Sequence, residues 1–183
     1  MKWSLQEAKQ YADQALHITK TFQLDLSLTQ RFPKQVLAAQ PVQVDGYLSY
    51  ERGDATLSIN VKTTITVPSS RSLAPVELPL DFDFTETYIG DETHRERYDR
   101  DEIVFTIDPD ESAIDLDNAL VENIFEQIPS RVLTEDEKQK QLMPHGKGWT
   151  VISDQEHQQR NSEQVDPRLA KLKNLFPDQD EKH

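Results

Sequence analysis

At 183 residues the chain is a single-domain length that would bury roughly 70% of its unfolded surface, and its lack of cysteine excludes disulfides, thiolate metal sites and cysteine nucleophiles. Twenty basic residues against thirty-three acidic ones leave a net charge of −13. A field of that sign repels phosphate backbones and favours basic partners.

Ser4-Leu5-Gln6-Glu7 reads as a capping box, and Leu5, Ala8, Ala12, Ala15 and Leu16 recur at helical spacing, which predicts a helix over about 5–16. Phe22, Leu24, Leu26 and Leu28 alternate with polar residues, which predicts a half-buried strand over 21–28. Residues 29–40 read as a connection with a short helical turn around Val36–Ala39.

The strongest pattern follows. Val42, Val44, Gly46, Leu48 and Tyr50 alternate with polar residues, Arg52-Gly53-Asp54 marks a tight turn, and Ala55, Leu57, Ile59, Val61, Thr63, Ile65 and Val67 alternate again. This predicts a long hairpin. After a loop, Val76, Leu78, Leu80, Phe82, Phe84 and Tyr88 form the apolar row of a third strand, with Glu77, Pro79, Asp81, Asp83, Thr85 and Thr87 opposite. Pro79 on the polar row suggests an edge strand or a bulge. Three such strands make an antiparallel meander with one solvated face.

Residues 90–101 are charged and poor in apolar side chains, so they read as an exposed loop, and Ile103–Ile107 as a short strand. Ala113–Leu116 is extended or a cap, and Asp115 or Asp117 is placed to N-cap a helix whose apolar face is Leu120, Val121, Ile124, Phe125 and Ile128, ended by Pro129. Residues 130–165 show no period and read as a mobile linker. Asp166-Pro167 then opens a short amphipathic helix over 166–176, with Leu169, Leu172, Leu175 and Phe176 on one side and Arg168, Lys171 and Lys173 on the other.

The acidity is regional. Residues 81–117 carry fourteen carboxylates and three arginines, and so hold eleven of the thirteen net negative charges. Asp81 and Asp83 alternate with apolar positions and should face solvent or a partner, which argues against a catalytic pair, because catalytic carboxylates need burial and shifted pKa values. Asp108, Asp110, Glu111, Asp115 and Asp117 offer oxygens to a divalent cation, but the spacing of a calcium-binding loop is missing. The five histidines share no ligand spacing and read as surface residues. His94, Arg95, Arg97, Tyr98 and Arg100 form the one basic-aromatic cluster; it suits phosphate contact or, more economically, pairing with Glu92, Glu96, Asp99 and Asp101 within the loop.

Three segments resemble the YceD family of large ribosomal RNA subunit accumulation proteins. Thr66–Glu77 is similar to its strand, C-x-R-C loop and following acidic strand; Ile114-Asp115-Leu116 before an acidic helix is similar to its second signature; and Asp166-Pro167-Arg168-Leu169 through Leu175 is similar to its D-P-R-x-x-x-L-x-x-L ending. Met1-Lys2-Trp3-Ser4 is similar to the opening of the Gram-positive branch. The resemblance implies a non-enzymatic role in building the large ribosomal subunit and a link to a small basic ribosomal protein. The sequence departs from the pattern where the loop cysteines fall on Ser69 and Ser72, so no metal role carries over.

The reading for the whole chain is an α+β protein. A mainly antiparallel sheet or partly closed barrel is packed by an N-terminal helix and a helix near 117–128. Residues 1–129 form the single domain, 130–165 the linker and 166–176 the terminal helix of a C-terminal arm. The expected function is a cytoplasmic ribosome biogenesis factor that acts by binding a basic ribosomal protein or an assembly intermediate, without cofactor, metal or catalytic residues. Direct binding of naked RNA or of membrane is not expected. The expected partner-binding residues are Asp81, Asp83, Asp91, Glu92, Arg168, Leu169, Leu172 and Lys173. The alternatives are an acidic regulatory module unrelated to ribosomes and a carboxylate- or metal-dependent enzyme.

Overall fold

The computed structural model describes residues 1–108 and 112–138 and the backbone of 139–140, 145–146 and 149–150. The chain forms two units, 1–134 and 135–183. The first opens with a short strand, β1 (Lys2–Trp3), and one helical turn, α1 (Leu5–Ala8). The capping box is present: the Glu7 amide donates to Ser4 Oγ at 3.1 Å, and the Ser4 amide donates to Glu7 Oε2 at 2.8 Å. The expected helix over 5–16 nevertheless stops early. A 3-10 turn, Lys9–Tyr11, ends it, and Leu16 already belongs to strand β2 (Leu16–Phe22). Seven residues of β2 pair antiparallel with a later strand, and that ladder outweighs the helical spacing of Ala12, Ala15 and Leu16.

The expected strand over 21–28 is also corrected. It ends at Phe22, and α2 (Asp25–Arg31) follows. Leu24 and Leu28 are buried while Leu26 is 69% exposed. Leu24 and Leu28 are spaced four apart, which satisfies period 2 and a helical turn equally; Leu26 decides between them. Asp25 Oδ1 accepts the Ala39 amide at 2.7 Å and ties α2 to β3 (Ala38–Ala39), the strand found where a helical turn was expected.

The hairpin forms as its alternation requires: β4 (Val42–Glu51) and β5 (Asp54–Pro68) pair with Val44 opposite Val61, Gly46 opposite Ile59 and Leu48 opposite Leu57. Arg52 and Gly53 both have positive φ, 53° and 100°, the backbone of a two-residue hairpin turn matched to strand twist. β6 (Pro75–Ile89) pairs with β5 over its full fifteen residues. β7 (Val104–Thr106) adds in parallel, against Thr87–Ile89 only. β8 (Ile114–Asp115) pairs with β1, and Asp115 N-caps α3 (Leu116–Glu126).

The main sheet is open, in the order β2-β4-β5-β6-β7, with β3 on the far end of β5. It is not closed into a barrel. A single core covers one face: Leu48, Leu57 and Ile59 from the sheet pack in one cluster with Leu28 of α2 and Leu116, Leu120 and Ile124 of α3. Phe32 stacks on Phe125 at 3.8 Å between centroids and joins the end of α2 to α3. On edge strand β2, Lys20 occupies an inward register position and lies 5.1 Å above the Phe22 ring, a charge that discourages further strand pairing there.

The body extends beyond the expected boundary at 129. The Val132 amide donates to Ser70 Oγ at 2.9 Å and the Ser70 amide to the Val132 carbonyl at 2.8 Å. In the second unit, α4 (Glu135–Lys140) is a short helix within the segment read as a linker, and β9 (His145–Gly146) pairs with β10 (Trp149–Thr150). The helix expected over 166–176, with Arg168, Leu169, Leu172 and Lys173, lies outside the described residues.

Candidate functional site

β6 carries the candidate site. Its fifteen residues put Asp81 and Asp83 on the solvated face of the sheet, as the alternation predicts. Register lines up Asp81 with Lys62 and Asp83 with Asn60 on β5. Lys62 Nζ lies 3.2 Å from Asp81, and Asn60 Nδ2 donates to Asp81 at 3.3 Å and to Asp83 at 3.0 Å. The Lys62 ammonium, then the Asn60 amide, hold Asp81 below the usual carboxylate range. On the other face Phe84 and Tyr88 are buried, whereas Val76, Leu78, Leu80 and Phe82 are only half-buried. The first half of β6 is therefore an apolar row on one side and an acidic row on the other.

Where β7 stops, a cleft of about 510 Å³ opens between β6, the segment 101–103 and the end of α3. Asp83, Asp101, Glu102 and Glu126 line it with Ile103 and Asn123. Sequence reasoning missed the cleft, because the last turn of α3 and the approach to β7 are brought beside Asp83 only by the packing.

Asp91 and Glu92 do not share that surface; they sit beyond the end of β6. Asp91 caps the next turn, accepting the Thr93 amide at 2.9 Å and its hydroxyl at 2.8 Å, and those donors hold it below the usual carboxylate range. Glu92 accepts from the Thr106 hydroxyl at 2.6 Å. Both have local structural roles.

The segment read as an exposed loop contains a 3-10 helix, Glu92–Arg97, docked on the hairpin turn. Asp54, 2% exposed, is its anchor. His94 Nδ1 lies 2.5 Å from Asp54 Oδ1, and Arg97 and the Tyr98 hydroxyl donate to Oδ2 at 3.2 and 2.9 Å. Arg97 also donates to the Arg52 carbonyl at 3.0 Å. His94 is thus not a surface histidine: its side chain is 19% exposed. Arg95 donates to the carbonyls of Asp99 and Glu102. Two of the three loop arginines are therefore engaged with protein groups.

Burial, and then the Asp54 carboxylate that it faces, push the Tyr98 phenol up to about 12. The folded value lies above the unfolded value of about 10, so this contribution is complete below pH 10 and is lost as pH rises through the folded value. Tyr98→Phe should flatten the fall in stability on that alkaline limb, read by urea midpoints at pH 9 and 11.5. An unchanged slope would remove Tyr98 as its source.

A second buried polar group joins β6 to α3. Glu86, 4% exposed, accepts from the Tyr88 hydroxyl at 2.5 Å and from Asn123 Nδ2 at 2.6 Å. Burial, then Glu86, push the Tyr88 phenol far up. In the sequence the signal was Glu86 itself, an acid in an inward slot of the row from Val76 to Tyr88. In the Ser69–Ser72 loop, the fully buried Ser69 accepts the amides of Arg71 and Ser72 at 3.1 and 3.4 Å, and Ser72 accepts that of Ala74 at 3.3 Å. The hydroxyls shape the turn. Among the described residues no group of His, Asp or Glu is placed to hold a metal ion, and no helix is long and apolar enough to cross a membrane.

These features define an α+β protein built on an open, mostly antiparallel sheet whose fourth strand exposes an acidic edge. The chain belongs to the YceD family, described as "Large ribosomal RNA subunit accumulation protein YceD", which matches residues 57–176. It is also similar to the "Uncharacterized protein YlbN" of Bacillus subtilis (strain 168), 29% identical over 182 residues that cover 99% of each chain. No solved structure matches.

Proposed function

We propose that this protein supports accumulation of large-subunit ribosomal RNA in the cytoplasm by binding rather than catalysis, and that its contact is a basic ribosomal protein or an assembly intermediate carrying one. The observation that carries the reading is the placement of Asp81 and Asp83, exposed on one strand beside a cleft lined by Asp101, Glu102 and Glu126. Such a surface attracts Lys- and Arg-rich chains and repels phosphate, so the protein would reach ribosomal RNA through a protein. The arginines of the 92–97 turn support the same choice. Arg97 is paired with the buried Asp54 and Arg95 is tied to backbone carbonyls, which makes both less free to turn toward phosphate.

Asp81→Asn with Asp83→Asn should weaken capture of basic large-subunit proteins several-fold at low salt and lower the ratio of large- to small-subunit RNA in cells. Its melting temperature should stay near that of the parent, because exposed charges contribute within about ±0.5 kcal/mol. Gel shifts with large-subunit RNA fragments run alongside; tight RNA binding without any protein partner would sink the proposal.

A further inference from the structure

The backbone of β6 is as informative as its carboxylates. β5 pairs with all of Pro75–Ile89 on one side, whereas β7 covers only Thr87–Ile89 on the other. Among the described residues, no strand pairs with the outer edge of residues 75–86. The direction of its amides follows from parity. The Thr87 amide donates outward to the Ile103 carbonyl at 2.9 Å, so the odd-numbered residues point their N–H and C=O away from β5. Pro75 and Pro79 agree, since neither has an amide to give β5 and both fall on the odd positions. Glu77, Asp81, Asp83 and Thr85 therefore direct N–H and C=O groups to an open edge, in a continuous run from 81 to 85.

Pro75, Pro79 and a row of acids are the defences of this edge, and neither proline falls within residues 81–85. Those acids repel a second copy of the same edge and attract a basic strand. A strand added here would place alternate side chains on the two faces. One set would meet Glu77, Asp81 and Asp83; the other would cover the half-buried Val76, Leu78, Leu80 and Phe82. Beyond Asp83 the cleft with Asp101, Glu102 and Glu126 would take the end of a long cationic side chain.

We infer that the outer edge of β6 is a strand-addition site for an extended segment of a partner protein in which Lys or Arg alternates with apolar residues. The inference rests on the acidic-surface reading of function and adds the mode and the sequence pattern of recognition. The main chain supplies affinity and the two rows supply specificity.

The test uses the full chain and a fluorescent nine-residue peptide alternating Lys and Val. Controls are a block-ordered peptide of the same composition and two alternating peptides N-methylated at every Lys or at every Val. The alternating peptide should bind at least tenfold more tightly than the block peptide. Methylation of one set should abolish binding and of the other spare it, because only one set of amides faces β6. Hydrogen exchange at Asp81, Asp83 and Thr85 should slow tenfold or more on binding. Thr85→Pro should weaken binding at least tenfold with every carboxylate retained, while circular dichroism verifies its fold. If the block and alternating peptides bind equally, strand addition falls and the acidic-surface reading survives. If neither binds, both fall. Protection of these amides in the peptide-free protein, or a dimer abolished by Thr85→Pro, would assign the edge to the chain's own residues or to a second copy and overturn the inference.

Discussion

Gly46→Val should leave no cooperative melt, and Gly46→Ala should cost about 3 kcal/mol or more, at the top of the range for overpacking. A Cβ at Gly46 would stand 2.2 Å from the Ser58 carbonyl oxygen and 2.8 Å from Ile59 Cα. Both are backbone atoms of β5, the strand paired on both sides, so they cannot withdraw without breaking the ladder from Glu51–Asp54 to Gln43–Lys62. A small domain is stable by only about 5–15 kcal/mol in total. Thermal and urea melts followed by circular dichroism measure the loss. A Gly46→Ala protein melting within a degree or two of the parent would mean that β4 and β5 do not approach this closely.

The second large effect concerns Asp54. Replacing His94 and Arg97 together by alanine leaves a carboxylate that is 2% exposed with the Tyr98 hydroxyl as its remaining side-chain donor. Stranding one member of a buried ionic group costs about 3–5 kcal/mol, mainly as the penalty on the charge left behind. The double variant should lose stability on that scale, and the 92–97 turn should become a site of rapid proteolysis. Adding Asp54→Asn should then recover part of the loss, since it removes the stranded charge. Urea denaturation of the three proteins decides the matter. A loss under about 1 kcal/mol, or no recovery with Asn, would show that water reaches Asp54 and that the turn is held by other contacts.

Most of the sheet was legible because alternation over ten to fifteen residues has one physical reading. Val42–Glu51, Asp54–Pro68 and Pro75–Ile89 each put one row of side chains in the core, as their period requires. The shorter segments were not legible. Four leucine and phenylalanine residues from Phe22 to Leu28 fit a strand by spacing alone, yet the chain turns into a helix at Asp25, whose carboxylate holds Ala39. Ala12, Ala15 and Leu16 fit a helix, but pairing of Leu16–Phe22 with β4 prevails. In short windows two periods overlap, and the choice passes to contacts made with distant residues.

The candidate site divides along the same line. Asp81 and Asp83 were assigned to the solvated face from their position alone, because a strand that turns Phe82 and Phe84 toward the core must turn Asp81 and Asp83 outward. Composition likewise located the acidity between residues 81 and 117. Sequence could not tell that Asp91 caps the next turn and that Glu92 accepts from Thr106, since a carboxylate with such local donors and one left on an open strand face have the same formula. Asp54 with His94, Arg97 and Tyr98, and Glu86 with Asn123, join residues about forty positions apart, which no local pattern records. Pro79 signalled an edge in β6, but how much of that edge stays open was a tertiary decision. Strand length is encoded locally, but which of its two edges receives a neighbour, and for how many residues, depends on where β5 and β7 lie. Side-chain direction is a property of the strand itself; the pairing of its backbone is a property of the sheet.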